Sequence, residues 1–182
     1  MTEYSDSELL RQFRNENTRN YAFNLIVRKY QQKLYYHIRK IVIDHDDAHD
    51  VSQNTFVKAW KGLDNFREDS QLYTWLYRIA TNESLTFLKQ KKTKFLIPLG
   101  DVEYELAANL SSDTNFSGDK MMMKLQKAIL TLPEKQRIVF NMKYFDNIKY
   151  EEMSKILDTS VGALKASFHH AVKKIEKYLT ED

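Results

Sequence analysis

Apolar residues in this chain recur at intervals of three, four and seven, the spacing that lines one face of an α-helix. Ser5 with Glu8 three residues on forms a capping box, which opens a short helix to about Asn15. A longer helix follows from about Arg19 to Val42, with Phe23, Ile26, Val27, Tyr30, Leu34, Ile38 and Ile41 on one side. Asp44 caps a third helix to Lys61, and the loop GLDNFRED, residues 62–69, leads into LYTWLYRIATNESLTFLKQKK, residues 72–92. In that last run Leu72, Leu76, Ile79, Ala80, Phe87 and Leu88 make an apolar stripe. Thr74, Arg78, Thr81, Asn82, Leu85, Lys89 and Lys92 trace a mostly polar, basic one. The helix is expected to have a core side and an outward side, with Trp75 packed in the core near the loop. Four such helices suffice for one bundle.

The pattern lapses over residues 93–118, which carry Asp101, Glu103, Glu105 and Asp113 and a tail SSDTNFSG. This reads as a flexible linker between domains at 1–92 and 119–182. Beyond it, Asp119 to about Leu130 is expected to be helical, with MMM at 121–123 as packing material. Pro133 suits the first turn of a helix from Glu134 to Phe145, whose Ile138, Val139, Met142 and Phe145 point inward. Tyr150–Leu157, a tight DTS break and a helix from Val161 to about Leu179 give a helix-turn-helix pattern. Met153, Ile156 and Leu157 are expected against Val161, Leu164 and Phe168, leaving Ser160, Ala163, Lys165, Ser167, His169 and His170 on the open side.

Composition narrows the class. Four Gly and two Pro in 182 residues argue against turn-rich β architecture and Gly-rich phosphate loops, so the fold class is all-α. Zero Cys excludes disulfides and thiolate zinc sites. No apolar run approaches the roughly 18 residues of a membrane span, so no membrane insertion is expected. MTEYSDSELL lacks the basic and apolar regions of a signal peptide, which makes a cytoplasmic location the expectation. The net charge of +3 is too small for a general nucleic-acid coat, so phosphate contacts must come from local clusters. Two exist: Lys89, Lys91, Lys92 and Lys94, and Lys165, Lys173, Lys174 and Lys177.

No catalytic constellation stands out. Adjacent Glu151 and Glu152 diverge on a helix, which argues against an enzyme of paired carboxylates. His45 and His49 stand at metal-ligand spacing, yet the acidic segment around them is better read as a helix start that docks a basic partner. No metal site and no cofactor are expected.

Three stretches then line up with one family. DDAHDVSQNTFVKAW (46–60), QLYTWLYRIATNESLTFLKQ (71–90) and LPEKQRIVFNMKYFDNIKYEEMSKILDTSVGALKASFHHAVKKI (132–175) resemble, in order and spacing, bacterial RNA polymerase sigma factors of the extracytoplasmic-function (ECF) group. The resemblance implies a first module that docks on the β′ clamp helices of core RNA polymerase and melts the minus-ten element. It implies a second, contacting the β flap, whose helix-turn-helix reads the duplex minus-thirty-five element. Asp47, Asp50, Val51, Gln53, Asn54 and Phe56 would then lie on the docking helix. Asp64, Asn65, Phe66 and Arg67, with Arg78, Asn82 and Lys89 behind them, would face the unwound strand. Ser160, Lys165, Ser167, His169, His170 and Lys173 would face the minus-thirty-five duplex. The family also leaves room for an anti-sigma protein as a partner.

Departures from the family pattern are Ser167 and His170 in place of frequent arginines, Asp158 in place of a turn glycine, His49 for an acid and Thr86 for an Asp. Two other classes compete: a two-domain regulator that binds duplex DNA without polymerase, and a helical adaptor that binds no DNA. An acidic docking helix, a strand-capturing loop and a helix-turn-helix occur together only in an initiation factor, so the chain is read as a promoter-specificity subunit whose residues bind and do not catalyse.

Overall fold

The computed structural model describes residues 4–95 and 120–181, with side chains of 92–95 and 120 outside that description. Eight helices stand among the described residues: α1 (Asp6–Phe13), α2 (Arg19–Val42), α3 (His45–Gly62), α4 (Leu72–Phe95), α5 (Lys120–Leu130), α6 (Glu134–Tyr144), α7 (Tyr150–Leu157) and α8 (Val161–Thr180). α4 runs past the expected linker start at residue 93; the linker residues 96–118 lie outside the described residues.

Local chemistry sets the helix ends. The Ser5–Glu8 capping box is formed in both directions at α1. Asp44 Oδ1 accepts from the amides of Asp46 and Asp47 at 3.0 Å, which starts α3. α2 stops at Ile43, which takes φ 67°, a region a β-branched residue occupies at a cost of order 1–3 kcal/mol. Burying its side chain to 5% exposure offsets that cost.

α1 to α4 enclose one core, built on Leu9, Phe13, Ile26, Leu34, Ile38, Leu72 and Leu76. Each such side chain contributes about 1.5–3 kcal/mol on burial. In the second module α5, α6 and α8 close around Ala128, Ile129, Leu132, Phe140, Ala171 and Ile175. Met121 and Met122 are 67% and 40% exposed, so the Met run serves packing less than its composition suggested.

The two modules touch. α7 lies on α4 and α6 on α2, and Ile138, Met142, Ile148, Met153 and Ile156 extend the first core without a break. This packing changes the reading of α4. Thr74 and Thr81, on its polar stripe, are 2% and 1% exposed: the Thr74 hydroxyl donates to Glu152 of the second module, and the Thr81 hydroxyl lies against His37 of α2.

Candidate functional site

Three surfaces carry the expected residues. On α3, Asp50, Gln53 and Asn54 are exposed and Phe56 is half-buried at their edge. Val51 is not part of this surface. At 1% exposure it points inward with Ala48, Thr55 and Ala59, one helical period apart, so its expected contact role is corrected to core packing. Asp47 is half-buried and accepts from Lys91 Nζ at 2.8 Å, which ties α3 to α4. Between α2 and α3 runs an open groove of about 790 Å³, lined among others by Tyr35, Tyr36, His49, Gln53, Phe56 and Val57. Tyr36 and Val57 are 54% and 51% exposed, an apolar surface that the docking motif did not reveal because half of it belongs to α2. The Tyr35 hydroxyl and His45 Nδ1 share a hydrogen bond of 2.6 Å, and the His45 and His49 rings meet edge to face.

The second surface begins at the loop after α3. Leu63–Asn65 make one 3₁₀ turn anchored by buried Leu63. Asp64 pairs with Arg19, whose guanidinium lies 4.4 Å from the Phe13 centroid and 5.4 Å from that of Trp60. Arg14 Nη2 donates to Glu68 Oε1 at 2.6 Å, and Glu68 sits at φ 60°. Asn65 and Arg67 are exposed between these two ties. Phe66 is 7% exposed and packs, tilted, against Trp75 with ring centroids 5.1 Å apart, so its ring points inward here and does not face a strand. Trp75 in turn covers Gly62, where an added Cβ would come within 3.1 Å of its ring. Behind the loop, Arg78, Asn82 and Lys89 are exposed along one side of α4.

The third surface is the helix-turn-helix. α7 ends at Asp158, in the left-handed region at φ 49° and ψ 48°, which Asp tolerates through its short polar side chain. The Ser160 hydroxyl accepts from the Ala163 amide at 3.3 Å and so starts α8. Buried Leu164 and Ala171, with half-buried Phe168, fix the inner face of α8; His169, His170 and Lys173 stand on the outer one. Lys165 is exposed at one edge, with Nζ 5.8 Å from the Tyr150 centroid, and Ser167 is half-buried at the other edge. Gly162, Ala163 and Ala166 lie exposed among them, small residues that a search for polar side chains passes over.

A helical bundle with an exposed loop and basic helix, followed by a helix-turn-helix, defines the class of promoter-specificity subunits. Residues 26–94 match the family described as Sigma-70 region 2, and residues 122–175 match Sigma-70, region 4. The chain is 32% identical to the RNA polymerase sigma-H factor of Pseudomonas aeruginosa, over 98% of this chain and 96% of that protein. It is also 32% identical to the ECF RNA polymerase sigma-E factor of Escherichia coli, over 85% of each. Among solved structures, CnrH in complex with the cytosolic domain of CnrY aligns with a TM-score of 0.71 at 25% identity, covering 97% of this chain and 98% of that one. RpoE of Bartonella quintana, solved with the anti-sigma factor NepR, shares the fold with a TM-score of 0.67 at 20% identity. The chain belongs to the sigma-70 family, in its ECF group. It is a promoter-specificity subunit of RNA polymerase. No described helix is long and apolar enough to cross a membrane.

Proposed function

We propose that the chain directs core RNA polymerase to promoters through three separate surfaces, and that it does so by binding alone. Asp50, Gln53 and Asn54 on α3 dock the polymerase β′ clamp, with Tyr36, Phe56 and Val57 supplying the apolar part of the contact. Exposed charge beside exposed apolar surface suits a partner interface with a polar rim. Asn65 and Arg67 at the loop tip, with Arg78, Asn82 and Lys89 along α4, hold the separated minus-ten strand, where cations follow the backbone and polar side chains read extruded bases.

His169, His170, Lys165 and Lys173 face the minus-thirty-five duplex with the small residues of α8 between them, and the second module also meets the β flap. An anti-sigma protein is a further partner, as NepR is for RpoE of Bartonella quintana. The site of action is the cytoplasm, where polymerase and promoter are.

The single observation carrying this reading is the presence, on one chain, of an exposed polar face on α3 and, at α8, an open outer face of a helix-turn-helix. Run-off transcription tests it. Core polymerase with this chain should produce transcripts from a cognate promoter, and neither component alone should do so. Tight duplex binding by the free chain, with no transcript on adding core enzyme, would favour the polymerase-independent regulator.

A further inference from the structure

The contact between the modules has an ionic centre. His37 is 1% exposed at the α2 face that meets the second module. Its Nδ1 lies 3.2 Å from Oδ2 of Asp146, in the turn after α6, and its Nε2 lies 2.9 Å from the Thr81 hydroxyl. The Thr81 hydroxyl also lies 2.8 Å from the Tyr77 carbonyl, and while its one proton points there it accepts from His37. An ionised carboxylate can only accept as well. With the Thr81 proton on the Tyr77 carbonyl, an imidazolium donates from both ring nitrogens and sets its charge beside the Asp146 carboxylate.

Other groups complete the cluster. Lys40 pairs with the second oxygen of Asp146, and the Asn141 amide donates to the Lys40 carbonyl at 3.3 Å. From α4, Tyr77 lies against the imidazole at 4.6 Å and Tyr73 stacks on Tyr77. Burial first, and then the Asp146 charge, pushes Tyr73 up to about 12 and raises Tyr77 as well, so both stay neutral through the physiological range. From the second module, Arg137 is buried one turn before Asn141 on α6, and Glu152 of α7 accepts from Thr74. Among these groups the imidazole is the one whose ordinary titration range lies between about pH 5 and 8.

We infer that His37, Lys40 and Asp146 form a proton-dependent latch that holds the second module on the first. A neutral imidazole has a single N–H. Either Asp146 then faces a lone pair, or Thr81 turns its hydroxyl from the Tyr77 carbonyl to the ring; in both cases the imidazolium charge beside the Asp146 carboxylate is lost. The latch matters for promoter binding, a consequence that rests on the function proposed above. Elements about 25 base pairs apart are separated by roughly 85 Å of duplex at about 3.4 Å per pair. A 182-residue chain packed as one body has a radius of gyration of only about 16 Å. The modules must part before both elements are held.

The chain has no Cys, so a donor and an acceptor dye can be placed on Asn20→Cys and Glu176→Cys, exposed positions on the two modules. Energy transfer is then read on the full chain without DNA or polymerase, from about pH 6 to about pH 8.5, with small-angle scattering in parallel. The open-to-closed ratio should rise about tenfold across this range, as expected for losing a hydrogen bond between charged groups. His37→Gln and Asp146→Asn should each be open by a similar factor at both ends of the range and lose the pH dependence. If His37→Gln loses its helical circular dichroism, Asp146→Asn, altered in a turn, decides alone. Unchanged transfer in the native chain and the folded variants would overturn the latch, as would a pH-dependent opening that survives in them. Run-off transcription with the same variants is a separate arm: its failure while energy transfer responds counts against the promoter reading and leaves the latch standing.

Discussion

Arg19, at the start of α2, pairs with Asp64 in the loop after α3, and its guanidinium is held over the rings of Phe13 and Trp60. Asp64 was expected to face a nucleic-acid strand. Its carboxylate instead takes part in fixing the loop, a use better suited to an acid than contact with phosphates. An exposed ion pair contributes about 0.2–1 kcal/mol, and stacking on aromatic rings adds about 0.5–1 kcal/mol. Arg19→Ala should therefore lower stability by about 1–2 kcal/mol in urea unfolding. Arg19→Lys, which keeps the charge but loses the flat guanidinium, should cost less. With Asp64→Ala added, the losses should fall short of additive by about 0.5–1 kcal/mol. Additive losses would show that the two side chains are not coupled.

The docking proposal separates α3 residues that look alike in sequence. Asp50→Ala with Gln53→Ala should weaken binding to core polymerase by about 1–3 kcal/mol in a titration, because both are exposed. Tyr36→Ala should weaken it too, although it lies on α2. Val51→Ala, by contrast, should lower stability by about 1–3 kcal/mol and leave the affinity of the folded fraction unchanged, since Val51 is buried. Undiminished affinity in the first two variants would remove the groove from the interface.

What the sequence made legible was whatever is written locally. The Ser5–Glu8 box and the Asp44 cap each depend on residues three or fewer apart, and each is present. Trp75 was expected near the loop and packs against its Phe66. What was not legible depends on partners distant in the chain. Thr74 and Thr81 read as outward because helical period reports polarity, and nothing local says that Glu152 of the second module meets the first or that His37 of α2 meets the second. Nothing local marks His37, beside Ile38 on α2; its partner Asp146 is 109 residues away. Phe66 read as a strand contact by its position in the loop, whereas its ring area and the nearby Trp75 favour burial.

Asp146 gives the fold a pH dependence with a definite sign. Burial pushes its carboxyl up, but the His37 hydrogen bond and charge, followed by those of Lys40, outweigh this and hold it below its ordinary value. A depressed carboxyl stabilises the native state fully above its unfolded value, near pH 3.9, and that contribution is lost as pH falls through the lower native value. Asp146→Asn should thus lower stability by about 1.5–3 kcal/mol at pH 5 to 6. Towards pH 2 to 3 the gap to the parent should narrow. A gap that stays constant across denaturant titrations at these pH values would mean that the charge of Asp146 contributes nothing.

On the recognition helix, the positions of two lysines predict different losses. Lys165 lies near the start of α8 beside Tyr150, and Lys173 lies about two turns further along. The N-terminal part of such a helix meets base edges and later cations meet phosphates. Lys165→Ala should cost about 1–3 kcal/mol on the preferred upstream sequence and little on others. Lys173→Ala should weaken all sequences alike and reduce the slope of log affinity against log salt by about one. Identical profiles for the two variants would contradict this division.

Gly162 offers a test in which stability and function move in opposite directions. It stands in the first turn of α8, exposed, and a Cβ added there would meet no atom within 4 Å. Glycine within a helix costs roughly 0.5–1 kcal/mol relative to alanine, chiefly through backbone entropy. Gly162→Ala should therefore raise stability by up to that amount, since no neighbour has to shift. No contact in the free protein requires glycine here, whereas close approach of the helix to DNA, on the function proposed above, would favour it. A single Cβ between the backbone and the duplex should then weaken minus-thirty-five binding several-fold while the melting temperature rises. Fluorescence anisotropy on a duplex carrying the preferred sequence, alongside thermal unfolding of the same protein, measures both quantities. A stabilised variant that binds as tightly as the parent would show that the backbone at Gly162 stays clear of the groove, and that Ala163, Ala166 and the histidines define how closely the helix approaches.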